Sequence, residues 1–121
     1  MVKALFDTNI LIDYLNGVPD ARNELDLYDE KAISIVTWME VMVGAVPAVE
    51  TATRTFLAGF GIVALDNEVA ERAIAFRKTR KVKLPDAIIW ASAHANGLLL
   101  VTRNVKDFPT SDPGVRMPYR I

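Results

Sequence analysis

Val2-Lys3-Ala4-Leu5-Phe6-Asp7-Thr8-Asn9-Ile10-Leu11-Ile12 opens the chain as a short apolar strand that runs into three polar residues and then into a second apolar segment. The solid apolar run reads as a strand buried on both faces, and Ile10 to Leu15 reads as a helix closing near Asn16-Gly17. Working outward, the same alternation recurs. Pro19 opens a second helix, Ala32 to Val36 is rich in β-branched residues, and Thr37 starts a helix reaching about Ala45 before Pro47. Ala48 to Phe60 reads as another helix and Ile62 to Leu65 as another strand. Asp66 is a suitable N-cap for a helix to about Arg80. Pro85 fits the first turn of a helix ending at Asn96-Gly97, Leu98 to Val101 is a fully apolar strand, and Val115 to Tyr119 supplies at most a short edge strand. Strands alternating with helices predict an α/β fold of three layers, a mostly parallel central sheet flanked by helices.

The chain has 121 residues, a length that suits a single domain spanning 1–121 with one apolar core, and its 51 % hydrophobic content opposes disorder. No cysteine is present, so disulfides, thiolate zinc sites and cysteine nucleophiles are excluded together. A single histidine, His94, leaves no catalytic histidine pair, and its place among small residues suits a packed structural role. There is no signal pattern and no apolar run of membrane-spanning length, which predicts a soluble cytoplasmic protein with no membrane partner. Net charge is −1, yet five of the 14 basic residues fall within Arg77-Lys78-Thr79-Arg80-Lys81-Val82-Lys83. Cations in the last turn of a helix complement its dipole, and a basic stretch beside acidic groups also suits a polyanion.

The acidic residues carry the chemical argument. Asp7 follows the first strand, Glu40 sits in Thr37-Trp38-Met39-Glu40, Asp86 in Leu84-Pro85-Asp86-Ala87, and Asp107 in Thr102-Arg103-Asn104-Val105-Lys106-Asp107-Phe108. Each has an ordinary explanation. Asp7 or Asn9 can cap a helix, Thr37-x-x-Glu40 matches a capping box, Asp86 complements a dipole, and Asp107 can cap a turn. Yet each also stands where the chain should reach one edge of a parallel sheet, the edge on which such folds place their sites. Carboxylates gathered there repel one another unless a proton or a cation intervenes, and an oxygen-only set favours Mg²⁺ or Mn²⁺. These residues predict a metal-dependent enzyme acting on a phosphate ester.

Three rivals are weighed against that reading. A phosphotransfer receiver needs paired acids after its first strand and a late lysine, and Asp7-Thr8-Asn9 and Thr102-Arg103 supply neither. A phosphatase with an Asp nucleophile wants a second Asp where Asn9 stands. A non-catalytic nucleic-acid or protein-binding module would use its acids only as caps and would show no response to Mn²⁺.

Taken together, Leu5-Phe6-Asp7-Thr8-Asn9-Ile10-Leu11-Ile12, the helical Thr-x-x-Glu ending at Glu40, Leu84-Pro85-Asp86-Ala87-Ile88-Ile89-Trp90-Ala91, and Leu100-Val101-Thr102-Arg103-Asn104-Val105-Lys106-Asp107-Phe108 resemble a PIN-domain protein, in particular the VapC-type toxins of prokaryotic type II toxin–antitoxin pairs. The resemblance covers essentially the whole chain. It implies a Mg²⁺- or Mn²⁺-dependent endoribonuclease that acts on an RNA substrate, with a cognate antitoxin and homodimerisation. Carried over by position, Asp7, Glu40 and Asp86 are the metal-binding acids, Thr8 and Asn9 the polar residues beside the first, and Thr102 the hydroxyl after the last apolar strand. Many relatives carry an Asp where this chain has Asn104, so the fourth catalytic position falls to Asn104 or to Asp107. Arg103, Arg77, Arg80 and Lys83 are the candidates for gripping RNA phosphates. The helix carrying Trp38, Met39 and Met42 is apolar on more than one side, which suits core burial or a partner surface.

Overall fold

A computed structural model describes residues 3–121. The first strand, β1, runs Ala4–Phe6 and is wholly buried; Val2, expected to begin it, lies outside the described residues. Helices α1 (Thr8–Leu15) and α2 (Pro19–Leu25) lead to β2 (Lys31–Ser34), and α3 (Ile35–Gly44) follows without a loop. A 3₁₀ turn at Pro47–Val49 and α4 (Glu50–Leu57) lead to β3 (Gly61–Val63). The antiparallel helix pair α5 (Asn67–Arg80) and α6 (Leu84–Ala95) precedes β4 (Leu99–Val101), and β5 (Val115–Arg116) closes the sheet.

All strand pairs are parallel, in the order β3-β2-β1-β4-β5. The chain therefore travels outward from β1 to β3, crosses back, and resumes on the other side of β1 at β4. That reversal makes the crevice beyond the carboxyl ends of β1 and β4 the switch point, where ligands bind in open α/β sheets. Phe6 pairs in register with Val101, so Asp7 and Thr102 leave the sheet side by side.

Side chains of β1 alternate between two cores. Leu5 faces a cluster with Leu100, Val69, Ala73, Trp90 and Phe108, built on α5 and α6. Ala4 and Phe6 face Ile10, Leu11, Leu25, Ile33, Leu57 and Phe60 on the opposite side. This is the three-layer arrangement, with a middle layer of short strands. Phe76 stacks on Trp90 at 4.3 Å between centroids, which fixes α5 against α6. Lys81 takes a left-handed φ of 55° after α5, so the chain turns sharply and Pro85 sits in the first turn of α6. Among the described residues no helix is long and apolar enough to cross a membrane.

Several boundaries differ from the sequence expectations. The strand expected over Ala32 to Val36 ends at Ser34, and α3 begins at Ile35 rather than Thr37. The reason is local: the buried Ser34 hydroxyl accepts from the Val36 N–H at 3.1 Å, and this cap overrides the strand preference of Ile35 and Val36. Thr37-x-x-Glu40 is consequently inside the helix and forms no capping box. Ser34→Ala is expected to cost about 1 kcal/mol in urea unfolding, and a cost near zero would contradict this cap. The helix expected over Ala48 to Phe60 divides into the 3₁₀ turn and α4, and the last strand shrinks to two residues.

Candidate metal centre

Asp7 is the N-cap of α1, only 4 % exposed, and both its oxygens are occupied. Oδ1 accepts the Thr8 N–H at 2.7 Å, while Oδ2 accepts the Thr102 hydroxyl at 2.7 Å and the Asn9 amide at 3.1 Å. These bonds fix the carboxylate in one orientation at the switch point. Three donors favour the ionised form, but burial outweighs them. With the charges of Asp86 and Glu40 adding to the desolvation, the carboxyl is pushed up to about 6.

Glu40 reaches the same place from α3. Thr37, fully buried, and Glu40 lie one turn apart and face α1 together. The Thr8 hydroxyl donates to Glu40 Oε1 at 2.6 Å and lies 3.0 Å from the Thr37 hydroxyl. Asp86, in the first turn of α6, is raised chiefly by burial, then by Asp107 and Glu40, and is held down in part by Lys83. Asp107 is placed by Asn104, whose amide donates to Asp107 Oδ2 at 2.9 Å and whose Oδ1 accepts the Asp107 N–H at 3.3 Å. Asp7, Glu40, Asp86 and Asp107 thus share one electrostatic field. Among the described residues none of the four is ion-paired with a lysine or arginine.

As they stand, no three acids among the described residues are already drawn together as a metal-binding group. The donor chemistry nevertheless fits a hard divalent cation. The set consists of carboxylate oxygens, its charge is unbalanced by any ion pair, and the most buried member is held rigid by its hydrogen bonds. The helix N-termini at Asp7 and Asp86 offset only part of that repulsion.

The basic candidates are placed unequally. Arg77 donates to the Val82 carbonyl at 2.8 Å, and Arg80 lies over the Trp90 ring at 5.3 Å, so both brace the α5–α6 connection. Lys83 is close enough to Asp86 to favour its charged form. Arg103 donates its backbone N–H to Asn9 Oδ1, while its guanidinium turns to Asp13. Sequence reasoning missed Thr37, Asp13 and Tyr119. The Asn9/Asp13 spacing of four residues on one helix was the available signal for Asp13; nothing in the sequence points to Tyr119. His94 lies at the far end of α6, its Nδ1 2.6 Å from Arg72 and its ring edge-on to Phe76, away from the acids.

The PIN domain family model matches residues 4–109. No curated protein matches the chain. Among solved structures, the chain is 50 % identical to a chain of a toxin–antitoxin complex from Klebsiella pneumoniae, with a TM-score of 0.92 over 98 % of this chain and 99 % of that one. It is 26 % identical to a chain of DNA-bound VapBC from Salmonella typhimurium, with a TM-score of 0.77 over 96 % of each. A chain of FitAcB from Neisseria gonorrhoeae, 22 % identical, shares the fold with a TM-score of 0.82 over 98 % of this chain and 99 % of that one.

Proposed function

The chain belongs to the PIN-domain family, and on that premise we propose that it is a Mg²⁺- or Mn²⁺-dependent endoribonuclease, the toxin of a VapBC-type toxin–antitoxin pair. The observation that carries this reading is Asp7. It is a nearly buried carboxylate at the switch point, sharing a field with Glu40, Asp86 and Asp107 and, among the described residues, in no ion pair. Structural caps have no reason to gather where their charges oppose one another, whereas cation ligands do.

Asp7, Glu40 and Asp86 would hold the metal, with Asn104 or Asp107 completing the set. The ion, when bound, offsets the charge of the phosphodiester and acidifies a water. The remaining chemistry belongs to the chain. Thr8, Asn9 and Thr102 keep both Asp7 oxygens fixed, so no reorganisation is needed when charge develops. The Thr8 hydroxyl occupies Glu40 Oε1 and leaves Oε2 either to hold the ion through a water or to take the proton of the attacking water. In-line attack leaves a 5′-phosphate and a 3′-hydroxyl.

Lys83, exposed at the start of α6, is the side chain best placed to meet a flanking phosphate. Lys83→Glu is expected to raise KM for RNA and to lower the salt slope of binding by about 1. The same reversal at Arg77 or Arg80, which brace the helix pair, should change KM less. Equal effects at all three positions would contradict this division.

The partner reading rests on similarity and on surface. A groove of 460 Å³ runs between α1, α3 and α4, lined by Ile12, Leu15, Val41, Ala45, Val49 and Ala52. Met39 and Val43 stand exposed on α3 nearby. An apolar groove of this kind suits a cognate antitoxin, and homodimerisation is proposed beside it.

The test of the activity is incubation with structured and single-stranded RNAs in Mg²⁺, Mn²⁺ or EDTA. Products bearing 5′-phosphates that form only with metal are expected. Cleavage unaffected by EDTA, or no cleavage of any RNA, would contradict the proposal.

A further inference from the structure

The loop after β4, residues 102–108, carries Thr102, Asn104 and Asp107, and from Asn104 onward its hydrogen bonds, among the described residues, are made within the loop. Asn104 N–H donates to Thr102 Oγ1 at 2.9 Å, Asn104 and Asp107 bind each other, and the Phe108 N–H donates to the Asn104 carbonyl at 3.1 Å. Such a loop holds its shape but needs outside anchors to hold its position. Phe108, fully buried, anchors one end. At the other end Arg103 is gripped twice by α1. Its backbone N–H donates to Asn9 Oδ1 at 3.3 Å, and one turn further along, Asp13 accepts its guanidinium through both oxygens, Nη2 to Oδ1 at 3.0 Å and Nε to Oδ2. Asp13 is only 6 % exposed, and the Tyr119 hydroxyl donates to its Oδ2 at 2.8 Å.

We propose that Arg103 is a positioning residue: its forked pair with buried Asp13, completed by Tyr119, sets the loop against α1 so that Asp107, held by Asn104, stands within the field of Asp86. This rests on the metal-site reading above, and it assigns Arg103 to the arrangement of the acids instead of to the RNA backbone. A planar fork held by a buried carboxylate fixes direction as well as distance, which a flexible phosphate contact does not require. Residues that orient ligands from behind commonly change metal affinity when removed.

The molecule contains a matched control. Arg116 makes the same kind of fork to Glu24, Nε to Oε2 at 2.7 Å and Nη2 to Oε1 at 2.9 Å, and the Tyr28 hydroxyl donates to the same carboxylate at 2.9 Å. That clamp joins β5 to α2 and contains no residue of the loop.

The experiment is Mn²⁺ titration by calorimetry without RNA, on the wild type, Arg103→Ala, Arg103→Lys and Arg116→Ala. Coulomb's law alone makes removal of a cation beside an acidic site strengthen Mn²⁺ binding. Positioning predicts the opposite sign: Arg103→Ala should weaken it by about 10- to 100-fold. Methylguanidinium added to that variant should restore part of the loss. Arg103→Lys keeps the charge, loses the fork and is expected to be weakened as well; it decides the matter should the alanine variant not fold. Arg116→Ala should lower Tm with Mn²⁺ affinity unchanged. Arg103 variants that bind Mn²⁺ as tightly as the wild type, or more tightly, overturn the proposal, as does an equal loss in Arg116→Ala. A wild type that binds no Mn²⁺ overturns the metal-site reading itself, a result distinct from these.

Discussion

Asp7→Asn is expected to abolish metal-dependent RNA cleavage, lowering kcat/KM by roughly a thousandfold or more, since a lost metal ligand forfeits several kcal/mol of transition-state stabilisation. The substitution preserves size and one acceptor, so the Thr8 N–H bond can persist at the new amide oxygen. What disappears is the charge at the switch point between β1 and β4. The amide also turns a donor toward Thr102 and Asn9, whose hydrogens now point at Asp7 Oδ2. Single-turnover cleavage with saturating protein separates this from a simple loss of RNA affinity, which would leave the saturated rate intact. Activity within tenfold of the wild type would remove Asp7 from the site.

The second large effect concerns stability, and it runs against the usual direction for a carboxylate. Burial raises the Asp7 carboxyl to about 6 from 3.8. Between those values the folded protein holds a proton that the unfolded chain has released. The metal-free fold therefore loses stability as pH rises through this window, and the loss is complete above about 6. The shift corresponds to roughly 3 kcal/mol, as an order of magnitude. Urea unfolding in EDTA at pH 4, 5, 6 and 7 should show this declining contribution in the wild type and its absence in Asp7→Asn. Above pH 6 the variant should then gain on the wild type while lacking activity, a trade of stability for function. Mn²⁺ binds the ionised form, so its stabilisation should grow over the same window in the wild type only. Identical pH profiles for the two proteins would contradict the burial argument.

How much of this was legible in the sequence depends on the range of each interaction. The sheet and its order of elements follow from the apolar runs Leu5-Phe6, Ile33 and Leu100-Val101, because strands buried on both faces need no partner information to be recognised. Asp7 stands out because it interrupts such a pattern where β1 meets α1, Asp86 because it follows Pro85 in the first turn of α6, and Asp107 because it closely follows the apolar run of β4. Glu40 was visible, but its setting was misread. Ala32-Ile33-Ser34-Ile35-Val36 reads as a strand by propensity, and only the buried Ser34 hydroxyl reveals that the helix has already begun. The capping-box reading of Thr37 and Glu40 failed for that reason. Both residues face α1 from inside the helix.

The basic residues were the least legible. Arg77 and Arg80 take partners within a few residues or on the neighbouring helix, and Arg103 takes one 90 positions away. Arginine side chains reach far enough that sequence proximity to an acidic motif does not decide where their charge ends. Only Lys83, at a helix start beside Asp86, keeps the placement that proximity suggested.

The central claim is that Asp7 and its neighbours form a divalent cation site, and direct Mn²⁺ binding to the wild type and Asp7→Asn at pH 7.0, without RNA, tests it most directly. The account predicts saturable binding by the wild type and a loss of about 100-fold or more in the variant, an expectation of roughly 3 kcal/mol for a lost anionic ligand. Equal binding by both proteins, or none by either, would contradict it.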